Sequence, residues 1–207
     1  MTRLVLASGS PRRRDILTAL GLSFDMRPPD VDETLHAGED AAAAARRLAE
    51  RKATAVEAGP DELVVAADTI VVLDGELLGK PSGPDDAATM LGRLADRSHE
   101  VVTGLALRAG AETRSAAART TVTFRALDRA EIAAYVATGE PLDKAGAYGI
   151  QGFGSALVER IEGDFFNVMG LPVPALLALL YDTGFRYLYG KIVPLGDGRA
   201  QPSEGSR

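Results

Sequence analysis

The sequence predicts a fold of the α/β or α+β class, in which strands and helices are mixed along one chain. Apolar runs of the strand type, such as residues 63–73, stand beside segments with helical periodicity, such as residues 39–58. With 207 residues and 46% hydrophobic composition, the chain can bury a substantial core, either as one domain or as two lobes that share a cleft.

The first unit along the chain is a strand at residues 3–7, a turn of small residues and a helix at residues 11–20. Ser10 suits the N-cap, Pro11 suits the first helical position, and Gly21 is typical of a helix end. This pattern predicts that the strand leads directly into the N-terminus of the helix.

The first turn of this helix carries Arg12, Arg13 and Arg14. Cations are mildly unfavourable there, because a helix N-terminus already has unpaired N–H groups and the positive pole of the helix dipole. A strand, a small-residue turn and a helix N-terminus together form an anion site, and arginine adds bidentate contacts to phosphate oxygens. The cluster therefore predicts a polyphosphate site, with a solvated basic turn as the alternative.

The later elements are predicted from periodicity, turn residues and capping signals. In chain order they are a helix at 39–58, a strand at 63–73, a hairpin turn at 74–75, a helix at 84–95, strands at 99–108 and 113–125 joined near Gly110, a helix opened by Asp128 with Glu131, a glycine-dense region at 138–173 and a helix at 174–183. Residues 190–207 are rich in glycine, proline and polar residues, which predicts a disordered tail after a single domain at 1–189.

Composition excludes several classes of protein. The chain has no cysteine, which excludes disulfides and thiolate metal sites and agrees with a reducing cytoplasm. Its two histidines, His36 and His99, are too few for a zinc site made of histidines alone. The net charge of −6 argues against general nucleic-acid binding. No segment is typical of a signal peptide or a membrane span, so we expect a cytoplasmic protein without a membrane partner.

Two charged residues fall within apolar patterns. Asp68 interrupts the strand at 63–73, where an ionised carboxylate is costly unless it is paired, hydrogen-bonded or bound to a metal. It could hold a hard divalent cation or deprotonate a water, or local backbone N–H groups could satisfy it. Lys52 lies on the apolar stripe of the helix at 39–58, where it either reaches the strand or extends along apolar surface to water.

The hairpin turn at 74–75 places a second lysine. It sets residue 80 opposite residue 69, so both Lys52 and Lys80 are expected to approach Asp68 and Thr69. Strict pairing puts Lys80 on the face of Thr69, although Gly79 and Pro81 weaken that register.

Two further polar residues are candidates on weaker grounds. Glu33 is one of several acids in "PPDVDET" and is either functional or part of a solvated loop. Gln151 is a single amide among glycines, and an amide can donate and accept at once, as the edge of uracil or thymine requires. A surface glutamine is the alternative.

Five segments of the sequence resemble the Maf family of nucleoside triphosphate pyrophosphatases, over residues 3–181: "LASGSPRRRDIL", "VVAADTIVVLDGELLGKP", "HEVVTGLAL", "TGEPLDKAGAYGIQGFG" and "IEGDFFNVMGLPV". The resemblance implies an α/β fold of the inosine-triphosphate-pyrophosphatase type, with a mixed sheet, two lobes around a deep cleft and a homodimer. It also implies hydrolysis of a nucleoside triphosphate to the monophosphate and pyrophosphate, with Mg²⁺ or Mn²⁺. "KAGAYGIQG" is similar to the branch that acts on dTTP and UTP.

The resemblance also assigns roles to residues. It implies that Asp68 accepts the proton of the attacking water and that Asp68 and Glu33 hold the metal. Arg12, Thr69 and Gln151 are expected to bear on base selection. The remaining expected cleft residues are Ser8, Arg13, Lys52 and Lys80, the two lysines with a catalytic role.

Two features depart from the family pattern. Arg14 extends the usual arginine pair and is expected to be a surface residue, and the segment after residue 190 has no counterpart.

The family's association with arrest of cell septation supports a different reading, a nucleotide-binding regulatory protein that acts through a partner. A phosphatase that releases single phosphates is a third possibility, which differs in its product.

Overall fold

The computed structural model describes residues 2–36 and 38–196. Its strands are β1 (Arg3–Leu6), β2 (Phe24–Met26), β3 (Glu62–Leu73), β4 (Glu76–Leu78), β5 (Ser98–Ala109), β6 (Glu112–Phe124), β7 (Val158–Glu162), β8 (Phe185–Tyr187) and β9 (Ile192–Pro194). Its α-helices are α1 (Pro11–Ala19), α2 (Ala41–Ala55), α3 (Pro84–Leu94), α4 (Arg129–Ala137), α5 (Phe165–Met169) and α6 (Val173–Asp182). Among these helices, none combines the length and the apolar composition that a membrane crossing requires.

The central sheet has seven strands in the order β2-β1-β3-β5-β6-β7, with β4 also paired to β3. β1 runs parallel to β2 and β3, whereas the other pairs are antiparallel. The sheet is therefore mixed and carries helices, which confirms the mixed α/β class that the sequence predicts.

One edge of β3 is only partly paired. β1 pairs with residues 62–65 and β4 with residues 71–73, while β5 occupies the opposite edge. Within the described ranges, no strand pairs with residues 66–70 on the β1 side. Backbone and side chains at Asp68 and Thr69 therefore lie at an opening between the end of β1 and the start of β4.

Helix α2 packs closely on β3 and β5 because the contact surface is built from small residues. Ala49 and Ala53 are fully buried there. A Cβ atom at Gly104 of β5 would lie 2.1 Å from the carbonyl carbon of Ala45, so only glycine permits this approach. The close packing brings the next polar residue of the helix face, Lys52, directly over β3.

The opposite face of the sheet is covered by larger apolar side chains. Leu6 and Leu63 of the strands pack with Ile16 and Leu17 of α1 and with Leu180 of α6. This core anchors α1 by its inner face, so the position of its N-terminus relative to β3 is fixed.

Most predicted elements agree with the structure, and the capping box of Asp128 with Glu131 is present at α4. The short elements β2, β7, β8 and α5 fall in segments for which the sequence predicts no element. The predicted disordered tail at 190–207 is wrong for Ile192–Pro194, because this segment pairs with β8 and Ile192 packs against the core. Residues 197–207 lie outside the described residues.

Candidate functional site

A pocket of about 470 Å³ lies at the open edge of β3. It is lined by the turn before α1, the loop before α2, one face of α2, the middle of β3, and segments at 79–80, 143–150 and 168–170. Eight of the nine expected site residues line it: Ser8, Arg12, Arg13, Glu33, Lys52, Asp68, Thr69 and Lys80.

The N-terminus of α1 opens into this pocket. Ser10 is the N-cap residue and Pro11 follows it, but the Ser10 side chain makes no capping hydrogen bond. Instead, the Ser10 N–H donates to the Oγ of Ser8 over 3.2 Å. Since the first N–H groups of a helix lack partners within the helix, this end is suited to an anion.

Arg13 is buried beside this helix end. Its guanidinium donates to the Gly170 carbonyl (2.7 Å), to Ser8 Oγ (3.1 Å) and to Thr69 Oγ1 (3.3 Å). These three acceptors are neutral oxygens, so they orient the cation without neutralising it. Burial lowers the pKa of Arg13, and the charge of Asp68 opposes this. Among residues 2–36 and 38–196, no carboxylate hydrogen-bonds to Arg13, and an oriented buried cation of this kind favours an incoming anion.

The other two arginines of the cluster separate by exposure. Arg12 is half-buried and lines the pocket. Arg14 is exposed and donates to the neighbouring Asp15 at 2.9 Å, away from the pocket lining. The expectation that Arg14 is a surface residue is therefore confirmed.

Asp68 and Glu33 share a buried lysine. Lys52 Nζ lies 2.5 Å from Asp68 Oδ1 and 2.9 Å from Glu33 Oε1, and only 6% of Lys52 is exposed. The prediction that Lys52 reaches Asp68 is confirmed, and the alternative of a side chain extending to water is wrong. Asp68 is satisfied by an ammonium rather than by local backbone N–H groups alone.

Glu33 is held in its ionised form. Burial raises its pKa, but the hydrogen bond from Lys52 and the charges of Lys52, Lys80 and Arg13 together bring the pKa below its ordinary value. A negative charge is thus kept at the pocket at neutral pH, beside the carboxylate of Asp68.

Lys80 follows the end of β4 by two residues. The Val71–Leu78 pair has the register that the sequence predicts, but β4 ends at Leu78, so residues 69 and 80 do not form a strand pair. Lys80 is exposed and lines the pocket, and its charge contributes to the lowered pKa of Glu33. Within the described chain it makes no hydrogen bond to Asp68, which separates it from Lys52 in role.

Thr69 is half-buried and points to the other face of β3, where it contacts the buried Thr103. Its Oγ1 accepts from Arg13 and shares a hydrogen bond of 3.0 Å with Thr103 Oγ1. Thr103 donates to the Asn167 carbonyl over 2.9 Å. Sequence reasoning missed Thr103, Asn167 and the Gly170 carbonyl. The available signal was that the first two are polar residues within otherwise apolar runs.

Gln151 is the exception among the expected residues. It is exposed, and it follows Gly149 and Ile150 of the lining without lining the pocket itself. Its place in the chain puts it beside the pocket wall.

The carboxylates allow a test of the expected metal. Among residues 2–36 and 38–196, no group of three or more His, Cys, Asp or Glu side chains could hold a metal ion. The Asp68 and Glu33 carboxylates nevertheless lie close together, because Lys52 Nζ contacts both of them. Mg²⁺ is commonly bound by one or two carboxylates together with substrate phosphates, so this pair fits a metal whose coordination a bound phosphate completes.

Most of the chain matches one known protein family. The family model described as Maf-like protein matches residues 3–183. The chain belongs to the Maf family. Relatives of this Maf protein named dTTP/UTP pyrophosphatase include one from Moorella thermoacetica, 53% identical over 183 residues, covering 87% of this chain and 94% of the relative. Those from Symbiobacterium thermophilum and Myxococcus xanthus are 48% and 52% identical, over 92% and 88% of this chain and 98% and 93% of their own lengths.

Among solved structures, the nucleoside-triphosphatase or dITP/XTP pyrophosphatase of Mycobacterium abscessus aligns with 87% of this Maf chain and 95% of its own. The identity is 15% and the TM-score is 0.43. The mixed α/β class of the Maf protein is established by its own sheet and helices.

Proposed function

We propose that this Maf protein hydrolyses dTTP and UTP to the monophosphate and pyrophosphate. The proposal depends mainly on one observation: Arg13, Lys52, Lys80 and Asp68 line the same pocket, at the N-terminus of α1. The names of the relatives support both the reaction and the thymine or uracil base.

The positive groups are suited to a triphosphate. Arg13 presents an oriented guanidinium, and Arg12 and Lys80 add positive charge to the same pocket. Such fixed cations stabilise the negative charge that develops on the leaving pyrophosphate more strongly than solvent water does. A triphosphate bound here would explain why the start of α1 carries an excess of positive charge.

Asp68 is the proposed proton acceptor. A water placed in line at the α-phosphorus forms a new P–O bond as the bond to the bridging oxygen of the β-phosphate breaks, and its proton passes to Asp68. Lys52 holds the Asp68 carboxylate at 2.5 Å and fixes its orientation. Glu33 keeps the ammonium in place from the other side.

Asp68 and Glu33 are also the residues that would hold a divalent cation, which would supply positive charge to the phosphate oxygens. Base selection is assigned to Arg12, Thr69 and Gln151. Thr69 and Arg12 line the pocket, while Gln151 follows the lining segment.

The direct test is a panel of nucleoside triphosphates with Mg²⁺ or Mn²⁺, in which pyrophosphate and orthophosphate are measured separately. We expect pyrophosphate with dTTP and UTP as preferred substrates. Orthophosphate without pyrophosphate would indicate the phosphatase alternative, and nucleotide binding without turnover would indicate the regulatory alternative.

The panel is repeated with Asp68→Asn, which keeps the shape of the side chain but removes the proton acceptor. General-base catalysis contributes roughly 10²–10⁴-fold, so turnover should fall by at least that range while nucleotide binding persists. The matched control is Glu62→Gln, since Glu62 is a buried carboxylate of the same strand that pairs with Arg27 outside the pocket. Near-native turnover in Asp68→Asn would remove Asp68 from this role.

A further inference from the structure

A loop beside the pocket is held by two side chains that do not line the pocket. The Glu140 carboxylate accepts the N–H groups of Phe153 and Gly154, each over 3.0 Å. The Tyr135 hydroxyl donates to Glu140 Oε1 over 2.9 Å and accepts the Gly149 N–H over 3.2 Å. We call these two side chains, with the three N–H groups they bind, the Glu140 clamp.

The clamp fits its loop only because the loop is built from glycine. A Cβ atom at Gly152 would lie 2.6 Å from Glu140 Oε2, and one at Gly154 would lie 2.6 Å from the Tyr135 hydroxyl. Gly152 also has a φ of +68°, which favours glycine. Because these two positions are glycine, the Glu140 and Tyr135 side chains can lie close to the loop backbone.

The clamp is itself held in place. Thr138 Oγ1 accepts the Glu140 N–H, and Lys144 Nζ donates to the Glu140 carbonyl. Tyr135 is 5% exposed and belongs to α4, which packs against α3. Hydrogen bonds to a carboxylate are stronger than those between neutral groups, so Glu140 holds the loop firmly. Tyr135 links Glu140 and the loop to α4.

The loop is linked to base selection through Gln151, to which the proposed function assigns that role. It contributes Gly149 and Ile150 to the pocket wall, and it carries Gln151. The hydrogen bonds of the clamp include none of the partners of Arg13 or Asp68. A change in the clamp can therefore move the wall while the groups around the scissile bond stay in place.

We propose that the Glu140 clamp sets nucleobase discrimination, with Tyr135 and Glu140 as positioning residues that fix the backbone of residues 149–154. The proposal rests on the proposed function, because it concerns the base of the same triphosphate. It assigns a role in specificity to residues outside the pocket lining.

The test uses Tyr135→Phe, which removes only the hydroxyl, and Glu140→Gln, which removes one of two acceptor oxygens. We measure kcat and KM separately for dTTP, UTP, CTP and GTP. Because a displacement of about 1 Å can cost up to about 100-fold, we expect the dTTP preference over CTP to fall about tenfold, mainly through KM. Amide hydrogen exchange at residues 149–154 should be faster in both variants, whatever the substrate.

The control is Glu131→Ala, which removes the capping box at the opposite end of α4. It should destabilise the helix without changing the dTTP to CTP ratio. An unchanged ratio in both clamp variants, an equal loss for every base, or the same change in Glu131→Ala would each overturn the clamp proposal while leaving the pyrophosphatase proposal intact. If the wild-type protein releases no pyrophosphate from any triphosphate, the proposed function fails and the clamp proposal with it.

Discussion

Lys52 and its two carboxylates provide a quantitative test of the site. In Asp68→Asn, Lys52 keeps Glu33 as a partner at 2.9 Å. In Lys52→Met, two carboxylates remain at the opening with no ammonium between them. In the double variant, a neutral amide faces an apolar side chain and one carboxylate remains. The three variants form a double-mutant cycle whose coupling energy measures the Lys52–Asp68 pair.

The magnitude follows from the geometry. At 2.5 Å between Nζ and Oδ1 and an effective dielectric constant of about 20, the Coulomb attraction is about 6–7 kcal/mol before desolvation is counted. Desolvation of a buried pair offsets much of this. We expect Lys52→Met to lose about 3–5 kcal/mol, Asp68→Asn about 1–3 kcal/mol because Glu33 remains, and the double variant about 2–4 kcal/mol less than their sum.

The assay is urea unfolding at pH 7 without nucleotide or divalent metal, since any ligand of the folded state would shift the apparent stability. Asp68→Asn combined with Glu62→Gln serves as the control pair, because the two positions are six residues apart on β3, about 20 Å along the strand. Additivity within about 0.5 kcal/mol for Lys52 and Asp68 would refute the proposed coupling.

Three further predictions concern other parts of the molecule. Gln151→Ala should narrow the preference for dTTP and UTP by about 1–3 kcal/mol in kcat/KM, the range of a good bidentate base contact, with less effect on turnover than Asp68→Asn; an equal loss for every base would refute base reading. Gly104→Ala should cost about 3 kcal/mol or more in a urea melt, because its Cβ would meet the α2 backbone at 2.1 Å, and native stability would contradict the close packing. Burial lowers the pKa of His99 to about 4, so below pH 6.5 the unfolded state binds a proton that the folded state excludes. Stability should therefore fall from pH 6.5 towards pH 4, and a His99→Phe variant with the same slope would exclude His99 as the cause.

The Glu62 pair shows why a buried carboxylate alone does not identify a catalytic group. Glu62 and Asp68 both lie on β3 and are both nearly buried. The hydrogen bonds of Glu62 with Arg27 lower its pKa to about 2, and it lies outside the pocket lining. Asp68 differs because it lies on the unpaired stretch of the strand edge and lines the pocket.

The sequence alone determined the local features of this protein. The Pro11 helix start, the register of the hairpin at 74–75 and the Asp128 capping box depend on neighbouring residues, so short-range chemistry is enough to predict them. Lys52 on an apolar helix stripe and Asp68 in an apolar strand also predicted their own pairing, because each charge needs a partner when buried.

Only the tertiary structure decided how distant segments meet. The opening at residues 66–70 exists because β1 ends and β4 begins on the same edge of β3, which depends on strand order. Arg13 is oriented by the Gly170 carbonyl, 157 positions away, and the 149–154 loop is held by Tyr135 and Glu140. Such contacts are absent from any local pattern, because hydrogen-bond partners far apart in sequence are set by the packing of the whole chain.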